Sequence, residues 1–189
     1  MTNELDPKIE DLLNKLKDKS DEIYQHSLRI KELVDKFLDY LNVSQSDKDK
    51  ISLAALLHDI GMLEISDDIC LKDHRLTLDE YEIIQEHPVF GEKIATDLLL
   101  DSDIRAIIRH HHENYNGFGY PDSIEKEEIP LGSRIILIAE AYDTILHKRD
   151  YQKLQMSKEF AIKELKEYAD RIYDKKLVDK FVNFIEDKM

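Results

Sequence analysis

The chain has a single cysteine, Cys70, so no disulfide can form within it, which fits a reducing compartment. Positive charge is scarce: 27 Lys and Arg stand against 41 Asp and Glu, a formal net charge of −14. Such a chain lacks the basic stripe with which duplex-binding proteins replace phosphate counterions, and it offers no cationic face to an anionic membrane. No apolar run approaches the roughly 20 residues that span a bilayer. The charged opening MTNELDPKIEDLLNKLKDKS contains no apolar signal core. The expectation is a soluble cytoplasmic protein, with no duplex nucleic acid and no membrane among its partners. Strand-like alternation is nearly absent, and no internal repeat or low-complexity tract is visible. What the chain does hold is enough apolar material for a core, 42% of 189 residues, although 36% are charged.

The apolar residues recur at helical spacing. Ile9, Leu12, Leu13 and Leu16 form one amphipathic stripe. A second helix is predicted after Ser20, burying Ile23, Ile30, Leu33, Val34, Phe37 and Leu41. A third follows Ser46 and carries Ile51, Ala54, Ala55 and Leu57, with Gly61 as its C-terminal stop. Thr77 and Glu80 are spaced as a capping box. Pro88 disfavours helical geometry at His87 and so separates that helix from the next, where Phe90, Ile94 and Leu98 share a side. Asp101 or Ser102 caps a helix through Ile104, Ile107 and Ile108, and Pro130 starts one through Ile135, Ile138 and Tyr142. Two more, around Phe160–Tyr168 and Leu177–Ile185, close the chain. An Asp-rich connection, Met62–Leu76, and a Gly/Pro-bearing one, Glu113–Ile129, break the rhythm. The expected fold class is all-α, a single-domain helical bundle, with residues 1–20 as an N-terminal amphipathic helix and 21–189 as the domain proper.

The informative residues are those that spoil the stripes. Ile51, Ala54 and Ala55 lead at helical spacing to His58, followed by Asp59; Ile104, Ile107 and Ile108 lead to His111 and His112. Glu22 and His26 stack four apart on the second helix. Glu140 follows five consecutive apolar residues, and burying such a carboxylate alone costs several kcal/mol, so it needs a cation, a proton or a metal. A lone histidine on an apolar stripe is an ordinary hydrogen-bonded core residue. Five of eight histidines (His26, His58, His87, His111 and His112) on inward positions or at a helix break are a pattern of another kind. Imidazole with carboxylate and few thiols suits zinc, iron or manganese, and more than four ligands implies more than one ion. His110 falls off the stripe, and His74 and His147 are expected to face solvent.

The order Glu22-x3-His26, His58-Asp59-Ile60-Gly61, Ile65-Ser66-Asp67 with Lys72 and Leu76-Thr77, His87-Pro88 with Gly91, and His111-His112-Glu113 resembles the HD-GYP family, a branch of the HD-superfamily metal-dependent phosphohydrolases. Asn116-Gly117-Phe118-Gly119-Tyr120-Pro121, Ile129-Pro130 with Arg134, Ala139-Glu140-Ala141-Tyr142-Asp143 and Arg149-x-Tyr151 continue the series. The resemblance implies an HD-superfamily helical bundle and hydrolysis of a cyclic dinucleotide, cyclic di-GMP above all, to linear pGpG and GMP in signal transduction. It implies two or three divalent ions, iron or manganese. Carried over by position, the metal ligands are Glu22, His26, His58, Asp59, His87, His111, His112 and Glu140, with Asp59 bridging two ions and Asp59 and His58 as the catalytic pair. Arg149, Tyr120 and Arg134 are implied to bind substrate, and Glu113 and Asp143 to orient imidazoles. A homodimer mate or a signalling protein completes the expected partners.

Three positions depart from the family pattern. Met62 stands where the family has lysine, Glu140 where it has aspartate, and Gln152 where a second phosphate-contacting lysine is usual. These leave two other readings open: a metal-binding signalling module with weakened turnover, or a single-metal nucleotide phosphohydrolase.

Overall fold

The computed structural model describes residues 5–72, 75–147 and 156–188. These form ten α-helices: α1 (Pro7–Lys19), α2 (Asp21–Leu41), α3 (Gln45–Leu57), α4 (Asp67–Cys70), α5 (Leu78–Ile84), α6 (His87–Asp97), α7 (Ser102–Arg109), α8 (Leu131–Leu146), α9 (Lys158–Glu167) and α10 (Lys175–Lys188). Short 3₁₀ turns follow α3 at Ile60–Glu64 and precede α8 at Lys126–Glu128. No strand occurs among the described residues, so the all-α expectation holds.

Local chemistry sets the boundaries. Ser20 serves two helices: its N–H closes α1 on Leu16, and its hydroxyl accepts the Ile23 N–H at 3.3 Å to start α2. Ser44 rather than Ser46 caps α3, its Oγ accepting the Asp47 N–H at 3.2 Å, so that helix begins earlier than its apolar pattern suggests. The Thr77–Glu80 capping box forms in both directions. Gln85 and Glu86 separate α5 from α6, and Pro88 sits in the first turn of α6, where its missing N–H costs nothing.

Helix α8 runs through the middle of the bundle, with Ile135, Ile136, Ile138 and Ala139 at 0% exposure. It packs on α2 and α9, while α3 and α7 pack on one another and on α8. Each such aliphatic side chain contributes about 1.5–3 kcal/mol by leaving water. Phe37 of α2 meets Phe181 of α10 edge to face at 5.0 Å, closing one end of the core. Helix α1 buries Ile9, Leu13 and Leu16 in the same core, against α2 and the 3₁₀ turn after α3. Lys19 then ties the end of α1 to the Ile65 carbonyl and the Asp67 carboxylate, each at 2.6 Å.

Gly61 has a different role from the helix stop expected of it. A β-carbon there would lie 1.9 Å from the His87 carbonyl oxygen and 2.5 Å from the Gly91 nitrogen. The 3₁₀ turn therefore lies backbone to backbone against α6, and this approach sets Asp59 beside His87. The first part of the connection expected after Met62 is not irregular, since residues 62–70 contain the rest of that turn and α4. Among the described residues, no helix is long and apolar enough to cross a membrane.

Candidate metal centre

Three imidazoles are presented by helix ends in one repeated manner. His58 follows the last residue of α3, His87 lies three residues beyond the end of α5, and His111 lies two beyond the end of α7. Each turns its Nδ1 back to the carbonyl three residues earlier: His58 to Ala55 at 2.8 Å, His87 to Ile84 at 2.8 Å, and His111 to Ile108 at 2.6 Å. A carbonyl can only accept, so each Nδ1 carries the proton and each Nε2 is the atom left to face inward. The same contacts use carbonyls that a helix end leaves unpaired, and the converging C-termini favour positive charge between them.

Those inward atoms converge. His87 Nε2 lies 3.1 Å from His111 Nε2 and 3.3 Å from an Asp59 oxygen, while His58 Nε2 lies 3.4 Å from the other Asp59 oxygen and 3.3 Å from Glu140 Oε1. Asp59 precedes the 3₁₀ turn but spends no side-chain bond on capping it, which leaves both oxygens for the cluster. His26 enters from α2, its Nε2 3.9 Å from Glu140 Oε1 and its Nδ1 2.9 Å from Asp143 Oδ2. Asp143 is in turn gripped by the Arg29 fork, through Nε and Nη2 at 2.9 Å each. Asp143 thus orients an imidazole, as expected; Arg29 went unnoticed in the sequence, although its place three residues after His26 puts it on the same face.

The electrostatics divide the cluster. Burial opposes charge on His26, but Asp143 and Glu140 lift its pKa to about 9; Asp59 and Glu140 likewise carry the buried His58 well above the ordinary imidazole range. Burial and the neighbouring imidazoles hold His111 well below that range, and burial takes His112 down to about 4 despite Glu140. Burial works against Asp59 and Glu140 as anions, yet the histidines around them keep both carboxyls well below normal.

A metal fits this donor set. Two Nε2 atoms 3.1 Å apart, on rings whose Nδ1 protons are already spent, need a metal ion or an added proton between them. His58 Nε2 and Glu140 Oε2 are buried with no hydrogen-bond partner among the described residues. Donor atoms within 4.8 Å of one another form three sets: His87, His111 and His112; His26, His58 and Glu140; and Asp59, His111 and Glu140. The sets join through His111 and Glu140. They adjoin a cavity of about 470 Å³ that also has Glu22, Met62 and Thr144 on its walls.

The glycine-bearing loop covers one side. Tyr120 stacks on His112 with ring centres 4.8 Å apart, and its N–H reaches the His112 carbonyl at 3.3 Å. Gly119 permits this closeness, because a β-carbon there would lie 2.2 Å from the Asn114 nitrogen. Asp122 latches the loop: its carboxylate takes both arms of Arg109 at 2.6 and 2.8 Å and His110 Nε2 at 2.9 Å. Its N–H donates to Glu113 Oε1 at 2.7 Å.

The structure thus gathers His26, His58, Asp59, His87, His111, His112 and Glu140, with Glu22 on the cavity wall one turn from His26. Other placements differ from expectation. Glu113 is buried but holds the loop rather than an imidazole. Arg134 is turned to Asp174, at 2.7 Å, where it binds α8 to the start of α10 and is absent from the cavity wall. His147 keeps its expected exposure, and in addition its Nδ1 lies 2.9 Å from Asp143 and it borders the cavity. Arg149, Tyr151, Gln152 and His74 lie outside the described residues.

Residues 10–177 match the family model described as HD domain. Among curated proteins, a cyclic di-GMP phosphodiesterase of Thermotoga maritima is 30% identical over 91% of this chain, which covers 47% of that protein. The cyclic di-GMP phosphodiesterase response regulator RpfG of Xanthomonas campestris pv. campestris is 35% identical over 74% of this chain and 37% of its own length. The chain thus spans about half or less of these relatives. Among solved structures, a cyclic GMP-AMP specific phosphodiesterase of Vibrio cholerae superposes with a TM-score of 0.70 at 20% identity, over 94% of this chain and 47% of that one.

Proposed function

The chain belongs to the HD domain family, in its HD-GYP branch, and from that premise we propose that it is a metal-dependent phosphodiesterase opening a cyclic dinucleotide, cyclic di-GMP first among them. The family implies divalent-metal binding, and the proposed complement is two or three ions, iron or manganese. The observation that carries the reading is the 3.1 Å approach of His87 and His111 through Nε2 atoms on rings whose Nδ1 protons are committed to carbonyls, a pairing that calls for a positive charge between them. His87, His111 and His112 would hold one ion and His26, His58 and Glu140 another, with Asp59 between them and Glu22 beside His26. When bound, such ions supply Lewis acidity toward phosphoryl oxygens and lower the pKa of water.

The chain's own residues do the rest. Asp143, backed by Arg29, fixes the His26 tautomer, and the carbonyls of Ala55, Ile84 and Ile108 fix those of His58, His87 and His111. Tyr120 shields the outer face of His112 from water. Arg149 is proposed to grip the phosphate, its planar fork suited to two oxygens. Water attack at phosphorus breaks one P–O3′ bond and leaves linear pGpG; a second hydrolysis leaves GMP. The net charge of −14 does not oppose this, because local cations decide binding at the cavity. A cytoplasmic location and a signalling or homodimer partner complete the proposal, the former consistent with a chain whose single cysteine, Cys70, is buried.

Metal-loaded protein prepared anaerobically with iron or manganese is expected to convert cyclic di-GMP to a linear product resolved by chromatography. No linear product with either metal overturns the proposal. One observation favours a second reading, a ligand-binding module with weakened turnover: Met62, only 8% exposed, puts a thioether on the cavity wall, where it neither donates a proton nor balances phosphate charge.

A further inference from the structure

The metal cavity has a neighbour. A second cavity, of about 430 Å³, has Met62 and Ile84 in common with the first, so the two adjoin across these side chains. Both fall in the size range of small-molecule sites. Their chemistry differs. Imidazoles and carboxylates dominate the first, whereas Ile69, Leu76, Leu78 and Tyr81 give the second an apolar wall, with Lys72 and Arg75 at its edge. Lys72 is committed to Glu80 by contacts of 2.6 and 2.7 Å, and Arg75 is exposed.

Helix α5 supplies Leu78 and Tyr81 to this wall from the surface, 83% and 49% exposed. Singly exposed apolar residues need no explanation, but two that line one cavity beside a polar centre do. Tyr81 lines the second cavity together with Met62 and Ile84, the side chains common to both. Tyr120 has a ring face occupied by His112, whereas Tyr81 stands half exposed.

A phosphodiester drawn to the imidazole–carboxylate cluster brings nucleoside units that the charged walls do not welcome. The base needs an apolar chamber with an aromatic face close by, and the adjoining cavity supplies both. We propose that this second cavity is a base-binding subsite for a cyclic dinucleotide held at the metal cavity, with Tyr81 as its stacking platform and the Met62–Ile84 ridge as its threshold. The assignment rests on the reading of the metal cavity as a cyclic-dinucleotide site. Stacking of this kind is tolerant of base identity, because every base has a π-face.

The test is calorimetric titration of the manganese-loaded full chain with a turnover-resistant phosphorothioate analogue of cyclic di-GMP, and separately with inorganic phosphate. Tyr81→Ala is expected to weaken the dinucleotide by about tenfold or more, and Tyr81→Phe, which keeps the ring, to stay within about twofold of the original chain. Phosphate has no base, so its affinity is expected to be the same in all three proteins. The subsite is overturned if Tyr81→Ala binds the dinucleotide as tightly as the original chain, or if phosphate binding falls in parallel. Failure of the original chain to bind the dinucleotide at all, while it binds phosphate, instead overturns the cyclic-dinucleotide reading and the subsite with it.

Discussion

His87 and His111 come within 3.1 Å of each other because each ring is pinned by its own helix end, and neither pin yields without leaving a carbonyl unpaired. Preorganisation of this kind lets a few atoms define a metal site, and it also makes single positions on the wall decisive. Met62 is such a position. Replacing it with lysine puts an ammonium at the junction of the two cavities, beside the cluster where the phosphodiester is proposed to react. Met62→Lys is expected to raise kcat for cyclic di-GMP about 100-fold, the lower end of the range for one electrostatic donor, in a product-release assay. A variant that binds the dinucleotide yet turns it over no faster favours the binding-module reading. His58, His111 and Glu140 were legible because each put polarity on an apolar helical face, whereas Asp59, His87 and His112 were legible through the order of the family's motifs. Tyr81 was not, since a tyrosine on a short surface helix is unremarkable until the fold sets a cavity beside it. Arg134 was misjudged because its partner, Asp174, is forty residues away and is brought close only by the packing of α10.

The 3₁₀ turn between α3 and α4 is the element whose position the centre tolerates least. It begins one residue after Asp59 and ends at Glu64, and its contact with α6 depends on the missing side chain of Gly61. Gly61→Ala places a methyl 1.9 Å from the His87 carbonyl oxygen, which is backbone and cannot swing aside. The turn and α6 must separate, at a cost of about 1–3 kcal/mol by the scale of overpacked cores. Because Asp59 and His87 sit on opposite sides of that contact, the variant is expected to lose bound metal, measured by elemental analysis, as well as stability in a urea melt. Retention of full metal content with lowered stability would mean that the centre does not depend on this approach. The latch on the other side is robust to acid. Arg109 first, and His110 after the opposing effect of burial, bring the Asp122 carboxyl down to about 2, so the pair persists down to that pH rather than to the usual carboxylate range. The order of the helices, the short α4 excepted, was readable from the 3.6-residue period and the Thr77, Asp101 and Pro130 start signals. The turn was not readable, because a glycine needed for close approach looks in sequence like one that ends a helix.

Over the whole molecule, the proposed ligands run from Glu22 on α2 to Glu140 on α8, so bound ions would cross-link helices far apart in the chain. The core packs these helices largely by apolar burial, with Ile30, Ile108 and Ile135 at 0% exposure, so the bundle is expected to stay folded without metal, unlike a zinc finger. Metal instead adds stability by binding the folded chain and not the unfolded one: about 2.7 kcal/mol when free metal is a hundredfold above its dissociation constant. For a chain of this size that corresponds to about 5–10 °C in Tm. Removing metal with a chelator is therefore expected to lower Tm by that amount, to leave the far-ultraviolet helical signal at room temperature intact, and to be reversed by adding manganese. The His111→Ala variant supplies the control, since losing a donor common to two of the three sets should make its melt nearly indifferent to chelator. If chelation collapses the helical signal outright, the core is not self-sufficient. If it moves Tm in neither protein, the convergence of five imidazoles and two carboxylates is held by protons alone, and the facing Nε2 atoms of His87 and His111 share a hydrogen instead of an ion.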